Sequence, residues 1–257
     1  MAFVRVLVVR AAGINCDEEV MHCWRLAGAS PATVHINALA QEPSMLNEYS
    51  IVTIPGGFSY GDDIAAGVIL ARRLLDDLAD NLQSFVGRGG GVLGICNGLQ
   101  VLVKMGVLPG EKFRRDQVTV TFNDSAKFEA RWVRLEVCTS RCPFLQKGTI
   151  LELPVEHAEG KVVTADHTVT AKLFSSDRIA LRYLDEEGRY DVYPANPNGS
   201  IAGIAGLCDA TGRVFGLMPH PDRHFDHTQH PQWTRRKPTA PPDGHTVFQN
   251  AVRAWST

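Results

Sequence analysis

Residues 89–100, read as GGGVLGICNGLQ, place Cys96 at the point where a short apolar run gives way to a helical pattern. Val92, Leu93 and Ile95 read as a buried strand, and Leu99, Leu102 and Val103 form the apolar stripe of a helix running to Gly106. A nucleophile on so sharp a strand-to-helix turn has its tip exposed, and small neighbours let the backbone pass, as in the Gly-x-Ser-x-Gly elbow. Here the pattern is Gly94-x-Cys96-x-Gly98. A sulfur at a helix N-terminus also faces unsatisfied N–H groups and the positive end of the helix dipole, which favour a thiolate. Buried cysteines are commonly inert, so on local grounds a packed thiol and a reactive one both stay open.

Thiol chemistry needs a base. Of nine histidines, His220 in Met218-Pro219-His220-Pro221-Asp222-Arg223 is the best placed. It follows the apolar strand Val214 to Met218, lies between two prolines that restrict the backbone, and has a carboxylate, Asp222, two residues on. An oxyanion needs donors. Ile51 to Ile54 leads straight into Pro55-Gly56-Gly57-Phe58-Ser59-Tyr60-Gly61-Asp62-Asp63, where a Gly-Gly pair after a strand can turn its N–H groups toward an anion. A plain tight turn accounts for the same residues.

Other chemistries fit less well. Gly89-x-Gly91-x-x-Gly94 matches a dinucleotide fingerprint in letters, but the strand follows its first two glycines instead of preceding them. Cys138 and Cys142 have a metal-compatible spacing without a second close pair. His220, His224, His227 and His230 are dense, but Pro221 and Pro231 interrupt any single helix that would present them together, so no metal site is expected there. Cys16 is a loop thiol, and Cys23 and His22 fall inside a helical pattern where packing explains both. Asn15 or Asp17 is expected to cap that helix, and His157 in Pro154-Val155-Glu156-His157-Ala158-Glu159-Gly160 reads as packed or solvated.

The elements that must position these groups alternate. Val4 to Val9, Thr33 to Ile36, Ile51 to Ile54 and the strand before Cys96 are apolar, with helical stretches from Glu18 to Leu26 and from Ala65 to Phe85 between them. Such alternation predicts a mostly parallel sheet with crossover helices, which binds ligands beyond the carboxyl ends of its strands. From Val118 the texture changes to the shorter runs Val118 to Phe122, Arg131 to Val137, Leu151 to Val155 and Ile179 to Tyr183, predicting largely antiparallel strands. Asn196-Pro197-Asn198-Gly199-Ser200 is a strong turn before the apolar run Ile201 to Leu207. Asp226 to Gly244 reads as a surface loop and Thr246 to Trp255 as a closing amphipathic helix.

The totals fit one α/β domain over residues 1–257, with 44% apolar and 21% charged residues. A net charge of -2 gives no reason to expect nucleic acid, and no apolar run suits a membrane span. Six cysteines without framework spacing or an export signal suggest a reducing, cytoplasmic compartment.

The segments VVRAAGINCDEE, IPGGFSYGDDIAAG, GVLGICNGLQVL, SRCPFL, NPNGSIAGIAG and VFGLMPHPDR together resemble the class I glutamine amidotransferases. Within them, they resemble the glutaminase subunits of phosphoribosylformylglycinamidine synthase. That resemblance implies a flavodoxin-like fold in which Cys96 attacks the side-chain amide of glutamine and His220 moves the protons. It further implies that Asp222 orients His220, that the N–H groups of Gly57 and Asn97 hold the oxyanion, and that Gln100 contacts the substrate. It implies no cofactor on this chain. ATP and Mg belong to a larger synthetase subunit (PurL), often joined by a small accessory subunit (PurS). The chain departs from the resemblance at Asp222, where the family usually has glutamate; the charge survives but the reach is shorter. Two other readings stay open: a PfpI-like cysteine hydrolase, and a non-catalytic scaffold subunit.

Overall fold

The structure, a computed structural model, describes residues 3–111, 113–236 and 240–256. Its first half alternates as expected: β1 (Arg5–Arg10), α1 (Asp17–Leu26), β2 (Ser30–His35), α2 (Ile36–Gln41), β3 (Ile51–Ile54), α3 (Val68–Gly87), β4 (Gly91–Ile95) and α4 (Asn97–Met105). The second half holds β5 (Val118–Thr121), β6 (Glu129–Val137), β7 (Ile150–His157), β8 (Lys161–Thr164), α5 (His167–Ser175) and β9 (Ile179–Leu184). It closes with β10 (Ile204–Cys208), β11 (Val214–Leu217) and α6 (Asp243–Trp255).

Nine strands form one sheet in the order β2-β1-β3-β4-β11-β10-β9-β6-β7. The β2, β1, β3, β4 and β11 run is parallel, and the remaining pairings are antiparallel. The central parallel strands are covered on both faces, which is why β3, β4 and β11 carry no exposed residue and, apart from Thr53, read as apolar runs. Strands β5 and β8 form a separate antiparallel pair.

Register decides what meets at the strand ends. β4 lies between β3 and β11, pairing Ile54 with Gly94 and Ile95 with Leu217. The three segments that leave these strands, Pro55–Asp63, the Cys96 elbow and Pro219–Arg223, therefore emerge side by side at one edge. β7, at the far edge of the sheet order, also reaches this site and accepts from the His220 N–H through Pro154 O, 2.8 Å away.

Several boundaries differ from expectation. Helix α2, helix α5 and strand β8 were not anticipated; α5 has an Asp166 cap whose carboxylate accepts from Val169 N at 2.9 Å. Residues 201–203 make a short 3-10 turn before β10 instead of joining the strand. At α1 the N-cap is Cys16, and neither Asn15 nor Asp17 caps the helix. Asp17 sits inside the first turn, where its charge suits the dipole, and pairs with Arg10 at 3.5 Å. The 224–236 stretch is strapped down: His224 and His230 pack edge-on against Trp132, and Arg236 pairs with Glu152. Positions 237–239 of the expected loop lie outside the described residues.

Candidate active site

Cys96 has φ 51° and ψ -103°, a strained backbone for a residue with a side chain. Leu217 O holds its N–H at 2.8 Å, and α4 starts at the next residue. The turn is tight because α4 is pressed against β3. A Cβ at Gly98 would lie 2.1 Å from Ile54 O, so no larger residue fits there. The thiol is buried at 5% exposure and lies 3.7 Å from Glu156 O on β7.

The Gly56-Gly57 loop is fastened to the elbow. Phe58 N donates to Gly13 O at 2.8 Å, and Ile14 and Gly57 form an antiparallel bridge. Gly57 has φ 137°, open only to glycine, and Asn97 occupies the first helical position, where an N–H has no intrahelical acceptor. Asn97 does more than supply an amide. Its Oδ1 accepts from Ser59 N at 3.3 Å, and its Nδ2 donates to Asp62 Oδ1 at 3.2 Å and to Gln100 Oε1 at 2.9 Å. Gln100 in turn donates to Glu159 O. Burial, opposed by the Gly67 N–H and supported by the charge of Glu159, pushes the Asp62 carboxyl above its usual range.

His220 and Asp222 are 2% and 0% exposed. The Nδ1 atom lies 3.3 Å from Asp222 Oδ1 and 3.5 Å from Oδ2, long for a charge-assisted hydrogen bond of about 2.7–2.9 Å. The short aspartate is present but loosely engaged. Both His220 Nε2 and Asp222 Oδ1 lack a hydrogen-bond partner. Burial alone opposes a charged ring, but the charges of Asp222 and Cys96 outweigh it and hold His220 well above the ordinary imidazole value. A protonated imidazole near a cysteine sulfur is an acid that stands ready to protonate a leaving group.

The structure thus brings Cys96, His220 and Asp222 together with the Gly57 loop, Asn97 and Gln100. It also brings in residues that sequence reasoning left aside. His157 is buried, with Nδ1 3.1 Å from Asn123 Oδ1 and Nε2 3.5 Å from Asn198 Nδ2. Burial and the neighbouring charge of His220 push it down to about 4, so it is neutral. Asn198, from the NPNGS turn, also donates to Tyr183 OH at 3.1 Å and Gly160 O at 2.9 Å. Burial raises the Tyr183 hydroxyl far above its ordinary value, with a further contribution from Cys96.

Cys16 is the other omission. Its Sγ lies 3.5 Å from Arg223 Nη2 and is grouped with His220 and Asp222 within 4.8 Å. The only available signal was its place after β1, the strand next to β3. Of the histidine-dense stretch only His220 joins a convergent donor group among the described residues; His224 and His230 face Trp132. Two surface grooves of about 470 Å³ each are present, and neither is lined by Cys96 or His220.

A cysteine elbow on a parallel sheet, flanked by a glycine loop and a histidine–carboxylate segment, defines an amidotransferase-type cysteine site. Residues 3–256 match the model of the CobB/CobQ-like glutamine amidotransferase domain. A Dehalococcoides mccartyi phosphoribosylformylglycinamidine synthase subunit PurQ is 43% identical over 100% of this chain and 99% of its own length. The subunit of the same name from Archaeoglobus fulgidus is 38% identical over 97% of this chain and 96% of its own. A chain in the solved structure of PurLQS from Thermotoga maritima superposes with a TM-score of 0.74 at 31% identity, covering 98% of this chain and 99% of that one. The chain belongs to the CobB/CobQ-like glutamine amidotransferase family and, within it, to the PurQ subunits of phosphoribosylformylglycinamidine synthase.

Proposed function

We propose that this chain is the glutaminase subunit of phosphoribosylformylglycinamidine synthase. It hydrolyses glutamine and passes ammonia to an ATP-dependent synthetase subunit that makes formylglycinamidine ribonucleotide. The observation that carries the reading is the placement of Cys96, on a strained elbow, at the end of the strand beside the one that leads to buried His220, which feels the charge of Cys96 and pairs with Asp222. Full-length similarity to PurQ subunits and to a chain of PurLQS supports the synthetase as partner. A small accessory subunit completes the assembly in this reading.

The Cys96 sulfur attacks the glutamine side-chain carbonyl carbon, and the oxyanion settles on the N–H groups of Gly57 and Asn97. The His220 imidazolium gives its proton to the departing nitrogen, releasing ammonia and leaving a glutamyl thioester. The neutral ring then takes a proton from water, which adds to the thioester; collapse returns the sulfur and releases glutamate. Asp222 steadies the ring through Nδ1. Gln100 and Asn97 shape the wall against which glutamine lies, and their hydrogen bonds to Glu159 O, Ser59 N and Asp62 fix that wall before substrate arrives. ATP and Mg²⁺ act on the synthetase; the sequence has no Gly-x-x-x-x-Gly-Lys-Ser/Thr phosphate loop.

The test is covalent trapping. The chain, assembled with the synthetase, is treated with a glutamine-analogue diazoketone and digested for mass spectrometry. The expected result is one adduct, on Cys96, prevented by excess glutamine. Labelling elsewhere, or none in the assembled complex, overturns the assignment.

A further inference from the structure

Cys16, His220 and Asp222 come from two loops far apart in sequence, after β1 and after β11, yet each offers a ligand atom and these atoms all lie within 4.8 Å of one another. All three residues are buried, at 3%, 2% and 0% exposure. Thiolate, imidazole and carboxylate are the donor types of zinc, and three protein donors with a fourth position open is a common count for it. A further observation points to a cation. Asp222 Oδ1 is a carboxylate oxygen without a hydrogen-bond partner in a fully buried residue.

The surrounding charge permits it. Arg223 opposes a cation, with Nη2 3.5 Å from Cys16 Sγ, but it is paired with Glu19 at 3.6 Å and Glu156 at 3.4 Å. Asp222, Glu19 and Glu156 together therefore outnumber the one guanidinium. Tetrahedral zinc with bonds of about 2.3 Å to sulfur and about 2.0–2.2 Å to nitrogen or oxygen sets its ligands roughly 3.3–3.6 Å apart. The group needs to close by about 1.5 Å at most, which rotations of Cys16 and Asp222 can supply.

We propose that Cys16 Sγ, His220 Nδ1 and an Asp222 oxygen form an inhibitory site for a zinc-type divalent ion. Binding exchanges the Cys16 S–H and His220 Nδ1–H protons for the metal, so up to two protons are released to solvent. The remaining ring proton then sits on Nε2. With a metal on one nitrogen and a proton on the other, the imidazole has no lone pair left to accept a proton. The same ion also draws Asp222 away from its role beside the ring. The effect on turnover rests on the glutaminase reading above; the binding itself does not.

The test titrates the full-length chain with Zn²⁺ against a chromophoric chelator, comparing the parent with Cys96→Ala and Cys16→Ser. Cys96→Ala removes the competing thiol–imidazole pair, and its affinity is expected to stay within about threefold of the parent. Cys16→Ser is expected to bind at least about tenfold more weakly. Zinc-edge X-ray absorption on Cys96→Ala, which needs no second variant to fold, is expected to show one sulfur at about 2.3 Å with nitrogen or oxygen ligands. In the synthetase complex, zinc is expected to suppress glutamine-dependent turnover of the parent, with recovery on adding EDTA. Unchanged affinity in Cys16→Ser, loss of binding in Cys96→Ala, or no binding by the parent at micromolar free zinc overturns the proposal. If binding behaves as stated but glutamine is never hydrolysed, the site stands and the glutaminase reading fails.

Discussion

Replacing Asp222 by asparagine keeps the size of the side chain and removes its charge. The carboxylate oxygens lie 3.3 and 3.5 Å from His220 Nδ1, with both residues buried. At such a separation, and with an effective dielectric of about 20, opposite unit charges attract by about 5 kcal/mol. That figure is an upper bound on what the imidazolium loses, because asparagine still offers a dipole and water can enter. The contact is also roughly half an ångström longer than a tight charge-assisted bond. Asp222→Asn is therefore expected to lower kcat/KM for glutamine by about 10²- to 10³-fold, or about 3–4 kcal/mol of transition-state stabilisation.

The pH profile carries the second half of this prediction. His220 is held well above its ordinary value by Asp222 and Cys96 against the cost of burial, so the ring keeps its proton as pH rises through the range in which a free imidazole loses it. Without the Asp222 charge that loss comes earlier, and the alkaline limb of kcat/KM moves to lower pH. The assay is glutamate release by the chain in its synthetase complex, from about pH 6 to about pH 10, a range that spans the ordinary imidazole value and the region above it. A loss of less than about threefold with an unmoved alkaline limb would refute the argument that this carboxylate supports the histidine.

Two further outcomes follow from packing and burial. Gly98→Ala places a Cβ 2.1 Å from Ile54 O, so α4 must move off β3; the melt is expected to show a loss of at least about 3 kcal/mol, or insoluble protein. His157 is neutral in the folded chain because burial, with the charge of His220, depresses it to about 4. Its contribution to stability is thus full above about pH 6.5, falls as the unfolded state takes up a proton the folded one refuses, and levels off below about pH 4; the two values differ by roughly 3 kcal/mol. Chemical denaturation at about pH 7 and about pH 4.5 is expected to show a smaller acid loss in His157→Gln than in the parent. Equal losses in the two proteins refute it.

What the sequence revealed was what local pattern controls. The Cys96 elbow was legible because its constraints lie within five residues: glycine at 94 and 98, an apolar strand before and an apolar stripe after. His220 and Asp222 were legible because the prolines and the strand before them are contiguous. The mostly parallel sheet with antiparallel strands behind it was readable from the change in texture near Val118. Cys16 was not, because its nearness to His220 depends on β1 and β11, with β3 and β4 between them, both leaving the same end of the sheet. Nor was the role of β7, which reaches the site through the carbonyls of Pro154 and Glu156, groups that every residue carries. The asparagines of the NPNGS turn read as turn formers and also hold His157 and Tyr183, a contact set by tertiary register. The missing methylene of Asp222 left open either a closer backbone or a less tightly engaged carboxylate, and the 3.3 Å separation fits the second.

The central claim is that Cys96 generates the ammonia that the synthetase consumes. It is tested most directly by measuring formylglycinamidine ribonucleotide formation in the complex carrying Cys96→Ala, once with glutamine and once with ammonium salt as nitrogen source. The account predicts that glutamine-dependent synthesis falls by at least about 10³-fold while ammonia-dependent synthesis is retained. Glutamine-dependent synthesis that survives the substitution contradicts it.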